Sequence, residues 1–191
     1  MIELLSAQDY RRTPWKNGNG ITEDVLLLPE GASHDDFDIR VSRAPIVDES
    51  RFSPFPGIDR TITRIGEKPL VLCFSNGKEV VLEHLSPVSF DSNLAPTSRL
   101  PSGASQVMNV MTRRGRWTSQ VTVLRETGTH SLPIPQNGLV VVHVVAGSCD
   151  MTGTRADTGE TLVARDMEQA ELALGGGSAC LVAMIAPASG L

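Results

Sequence analysis

The run Leu139-Val-Val-Val-His-Val-Val-Ala146, closed by Gly147, narrows the choice of fold more than any other stretch. Its valine density favours a fully buried strand, because β-branched side chains crowd a helical turn but pack well on a pleated backbone. Elsewhere Phe37, Ile39 and Val41 alternate with Asp38, Arg40 and Ser42, the period of a half-buried strand. Pro69-Leu-Val-Leu-Cys-Phe-Ser75 runs into Asn76-Gly77, and Lys78-Glu-Val-Val-Leu-Glu-His84 returns from it, which predicts a β-hairpin. Thr118–Leu124, Thr161–Ala164, Glu168–Leu174 and Ala179–Ile185 are further short strand-like pieces. Roughly a dozen short strands and no convincing amphipathic helix imply an all-β sandwich or barrel.

Leu70–Phe90 and Leu139–Leu174 echo one another: an apolar strand, a glycine turn, then shorter strands. Two copies of one small barrel, over residues 1–100 and 101–191, account for that echo. Residues 91–106 are rich in Pro, Ser, Gly and Asn and read as a long loop or interdomain connection.

The net charge of −5 and a single dense basic cluster, Arg113-Arg114-Gly-Arg116, argue against nucleic acid as a partner. A membrane is no better supported, since no apolar run has spanning length. Cys73, Cys149 and Cys180 lie in or beside apolar runs without CxxC spacing, as reduced thiols of a cytoplasmic protein do. The first residues lack the charged and apolar regions of a signal peptide, so a cytosolic location is expected.

Arg51-Phe-Ser-Pro-Phe-Pro-Gly-Ile-Asp-Arg60 is the stretch that points to a site. Pro54 and Pro56 fix φ and bias Ser53 and Phe55 towards extended backbone, while Gly57 can supply a φ > 0 turn. Arg60 opens the strand that follows, and Arg40 shares a strand face with Asp38 and Ser42. A guanidinium turned inward needs a fixed acid or an anionic ligand, so this loop and the Arg40 strand are expected to form a pocket for a small anion. The alternative is a hairpin whose phenylalanines plug the core, with Arg40–Asp38 and Arg60–Asp59 as surface pairs.

Other chemistries are weakly signalled. The histidines His34, His84, His130 and His143 are isolated, so no metal is expected. Gly-x-Ser-x-Gly is absent, and Gly175-Gly-Gly177 lacks the Lys-Ser or Lys-Thr of a phosphate loop. Asp59, Glu23 or His84 could serve general acid–base catalysis, which leaves an isomerase, epimerase or lyase acting on a small carboxylated or sugar substrate as the alternative function.

Four motifs in one order carry a resemblance: Trp15-Lys-Asn-Gly-Asn-Gly-Ile-Thr22, Asp38-Ile-Arg-Val-Ser-Arg-Ala44, Phe52-Ser-Pro-Phe-Pro-Gly-Ile-Asp-Arg60 and Met108-Asn-Val-Met-Thr-Arg-Arg114. Over about the first two-thirds of its length the chain resembles the HutD/Ves family. The resemblance implies a bicupin, two germin-like (RmlC-like) β-barrels in one chain. It also implies a non-catalytic, metal-independent protein without cofactor. Such a protein would bind a small carboxylated metabolite, of the N-formylglutamate, formate or urocanate type, and modulate histidine utilisation. The family's pocket arginine falls on Arg60. Trp15, Lys16 and Asn17, then Arg40 and Ser42, match motifs that line the same cavity, with Asn109 and Arg113 beside them. Trp15, Phe52 and Phe55 would form its aromatic wall. A homodimer is open to such a chain. Asn19 stands where the family usually has the second of three glycines.

Overall fold

A computed structural model describes residues 1–14 and 21–188. Among the described residues every regular element is a strand except one short 3-10 turn at Ser92–Leu94. It divides into two compact units, one continuous (Arg11–Arg116) and one split (Met1–Tyr10 with Trp117–Leu191). The expected division at 100/101 therefore differs from the observed one. The N-terminal strand pairs inside the second half of the chain, and residues beyond 100 complete the sheet of the first half.

The split unit begins with β1 (Ile2–Leu5). The continuous unit follows with β2 (Arg11–Pro14), β3 (Ile21–Leu28), β4 (Ile39–Ile46), β5 (Ile58–Arg64) and β6 (Leu70–Cys73). It ends with β7 (Glu79–Leu82), β8 (Pro87–Asp91), β9 (Thr97–Arg99) and β10 (Ser105–Arg113). Six strands form one sheet in the order β2-β3-β4-β10-β5-β8, and β7-β6-β9 form another. Ala44, Ile46, Ile62 and Val107 from the larger sheet pack with Leu70, Leu72 and Leu82 from the smaller.

The chain then returns to the split unit through β11 (Trp117–Leu124), β12 (Gly128–Pro133), β13 (Leu139–Ala146) and β14 (Ser148–Met151). It finishes with β15 (Thr154–Asp157), β16 (Thr161–Arg165), β17 (Gln169–Leu174) and β18 (Ala179–Pro187). The sheet β1-β16-β13-β18-β11 and the sheet β12-β17-β14-β15 share a core of Val140, Val142, Leu162, Leu172, Val182 and their neighbours. The valine-rich run is β13, central in its sheet and buried from Leu139 to Val144.

The hairpin expected around Asn76-Gly77 forms as β6 and β7, with Gly77 at φ +82°. Residues 91–106 are more ordered than their composition predicts. Ser98 is buried in β9, pairs opposite Leu72, and donates its hydroxyl to the Asp48 and Ser50 carbonyls. A polar sequence forms a strand there because its serine satisfies the backbone of a neighbouring loop.

Candidate functional site

The larger sheet of the continuous unit carries a cavity of about 680 Å³ on one face. Its described lining residues all belong to that unit. Strand alternation decides which side chains enter it. On β4, Arg40, Ser42, Ala44 and Ile46 line the cavity, whereas Ile39 and Val41 are buried on the opposite side. The antiparallel register then aligns Leu27, Arg40, Met111, Arg60 and Phe90 in one row across five strands. The next row holds Asp24, Ser42, Asn109 and Ile62.

Past the end of β4, Ser50 to Pro56 form the wall that the proline-rich motif predicts. Gly57 takes φ +74°, and the Ile58 amide donates to the Phe55 carbonyl, so the chain turns there and enters β5. That turn places Phe52 and Phe55 over Arg60. The Arg60 guanidinium carbon lies 5.5 Å from each of their ring centroids and 5.8 Å from that of Phe90. Such contacts favour a cation without cancelling its charge.

Arg40 and Arg60 flank Met111 in the same row but are satisfied differently. Arg40 Nε donates to Asp24 Oδ1 at 2.7 Å, and both side chains are buried. Arg60 is 5 % exposed, and its buried Nε has no hydrogen-bond partner among the described residues. No described carboxylate neutralises it. Burial, followed by the nearby Arg40 charge, lowers its pKa to about 9. Asn109 Oδ1 is a second buried atom of a lining residue without a partner among the described residues.

The surface-pair alternative does not form. Asp59 accepts from Arg114, and Asp38 accepts from Arg113 and Arg116. Of the residues expected at the site, Arg60, Arg40, Ser42, Phe52, Phe55 and Asn109 line this one cavity. Arg113 does not. It is spent on Asp36 and Asp38 and on the Phe37 carbonyl, fastening the segment that leads into β4. Trp15, Lys16 and Asn17 lie outside the described residues. Asp59 and His84, the expected alternative bases, are exposed and absent from the lining.

Sequence reasoning missed Asp24, His34 and Phe90. Asp24 is 16 residues from Arg40 and meets it only through the β3–β4 register, which no local spacing encodes. His34 sits in an acidic loop that reads as solvated surface, yet its ring meets Asp24 and lines the cavity. Among the described residues no three His, Cys, Asp or Glu side chains cluster as a metal site would require.

The HutD family model matches residues 7–182. Protein Ves of Citrobacter koseri is 33 % identical over 125 residues, 63 % of this chain and 64 % of the relative. A 21.2 kDa protein encoded in the hutC 3′ region of Pseudomonas putida is 31 % identical over 63 % of each chain. Both matches span less than two-thirds of the relative's length. Among solved structures, HutD from Pseudomonas fluorescens SBW25, determined in a formate condition, superposes with a TM-score of 0.85 at 24 % identity, covering 99 % of this chain and 100 % of that one. The Escherichia coli pirin YhhW, in complex with nickel(II), gives 0.67 at 11 % identity over the full length of both chains. Bacillus subtilis oxalate decarboxylase gives 0.59 at 10 % over 95 % of this chain and 76 % of that one, so the fold is cupin-like. A family match over nearly the whole length, together with motifs that converge on one cavity, places this chain in the HutD family.

Proposed function

We propose that this protein is a non-catalytic, metal-independent cupin that holds a small carboxylated metabolite in the cavity of its continuous unit. The ligand is of the N-formylglutamate, formate or urocanate type, and its binding modulates histidine utilisation in the cytoplasm. In this reading the two units are the two germin-like barrels of a bicupin.

One observation carries the proposal: Arg60 is a buried cation among three aromatic rings, with no acid among the described residues to neutralise it. Burying an unpaired charge is costly, and a ligand carboxylate is the group that would complete a planar guanidinium fork. Arg40 already has Asp24, which leaves Arg60 as the group that waits for the anion. The hutC neighbourhood of the Pseudomonas putida relative supports the link to histidine utilisation.

Titration calorimetry with N-formylglutamate tests it. Arg60→Ala is expected to weaken binding by about a hundredfold or more, the scale of removing one partner from a buried charged pair. Circular dichroism should show the β-fold retained. Equal affinity in wild type and variant would exclude Arg60 as the anchor.

A further inference from the structure

His34 is fixed in the cavity wall in a way that charge neutralisation does not require. Its Nε2 meets Asp24 Oδ2 at 2.5 Å, and the Asp24 side chain is 1 % exposed. The other carboxylate oxygen already accepts from Arg40, so Asp24 has its counter-ion without the histidine. With a carboxylate at Nε2, that nitrogen carries the hydrogen, and the neutral form of such a ring presents Nδ1 as an acceptor. Among the described residues Nδ1 meets no donor, while the ring, 27 % exposed, lines the same cavity as Arg60. Asn109 Oδ1 is a further acceptor there without a donor.

The strand that holds Asp24, and through it His34, lies at a distance from that of Arg60, with Asn109 on β10 between them. The sheet order β3-β4-β10-β5 puts three inter-strand steps between Asp24 and the strand of Arg60, about 14 Å of backbone at roughly 4.8 Å per step. His34 and Arg60 both line this one cavity, so a short molecule held in it can meet both.

We propose that His34 is a specificity-determining contact: its Nδ1 accepts a hydrogen bond from a hydroxyl or N–H at the end of the ligand remote from the carboxylate held by Arg60. This rests on the carboxylate reading above and narrows it to two-headed molecules, an acid at one end and a hydrogen-bond donor at the other. Asp24 acts through the histidine, orienting its ring and fixing its tautomer.

Two nearly isosteric probes test the idea by calorimetry. Glutaramate ends in a primary amide that can donate, and monomethyl glutarate ends in an ester that cannot. Wild-type protein is expected to prefer glutaramate by about tenfold, the scale of one unmet buried hydrogen bond. His34→Phe keeps a ring and removes the acceptor. It should abolish the preference, bringing the two probes to within about twofold of each other whatever their absolute affinities. His34→Leu, a second variant checked for native circular dichroism, should do the same. A preference that survives in both variants overturns the role of His34 and leaves Arg60 as carboxylate anchor. Binding of neither probe to wild type overturns both readings.

Discussion

Between the sheets of the split unit, Val140, Val142, Leu162, Leu172 and Val182 fill the interior. On the inner face of the larger sheet of the continuous unit stand Arg40, Ser42, Arg60 and Asn109. Where the split unit buries polar groups, they satisfy one another. Thr161 Oγ1 lies 2.9 Å from His143 Nδ1 and 2.8 Å from the Tyr10 hydroxyl. All the buried side-chain atoms without partners among the described residues lie in the continuous unit. One interior is therefore organised for packing, and the other gives up stability to keep polar atoms open, as binding sites commonly do.

If that contrast holds, neighbouring arginines should respond to substitution with opposite signs. Arg40→Met leaves Asp24 buried with only the exposed-side contact of His34, and should cost about 3–5 kcal/mol in urea unfolding. In the packed interior, Leu172→Ala should cost about 2–5 kcal/mol, because the close-packed surroundings cannot fully collapse onto the void. Arg60→Met in ligand-free protein should instead be neutral or stabilising by about 1–4 kcal/mol, since it removes a desolvated cation and retains an apolar stem. A loss comparable to that of Arg40→Met would mean that Arg60 has a hidden counter-ion, and the contrast would fail.

The pH dependence of that gain follows from the lowered Arg60 pKa. Its folded value of about 9 lies well below the ordinary guanidinium range, so below pH 9 both folded and unfolded states carry the charge and the burial penalty is fully present. Above about 9 the folded state sheds the proton first and the penalty fades. The advantage of Arg60→Met should thus be constant up to about pH 8 and shrink by about pH 11. The smallest effect concerns the thiols. Cys149 and Cys180 are buried in the split core, whereas Cys73 is partly exposed. A thiol reagent should label Cys73 first in native protein, and the other two only on unfolding.

How much of this was legible depends on whether the cause was local. Pro54, Pro56 and Gly57 act through their own backbone angles, so the loop over Arg60 could be read from its motif. That Arg40 and Ser42 share a face followed from alternation with Ile39 and Val41, but that this face is also buried did not. The partner of Arg40 could not be read, because it depends on which strands become neighbours. The same holds for Arg113, whose place in a family motif suggested the cavity, while the fold gives it to Asp36 and Asp38. Ser98 misled in the other direction, since its composition signalled a loop and its hydroxyl bonds supported a strand.

The irregularity in β3 has a consequence for how such a cavity can change. Asp24 stands opposite Ser42, but Leu26 stands opposite Val41, so the pairing slips by one place between them. That slip lets Asp24 and Leu27, three positions apart, share one face of the sheet, which a regular strand forbids. Loss of one residue there would turn the carboxylate to the far face and strand Arg40 beside Arg60 as a second uncompensated cation. The counting of backbone units, more than the choice of any side chain, keeps one of the two arginines quiet and the other hungry.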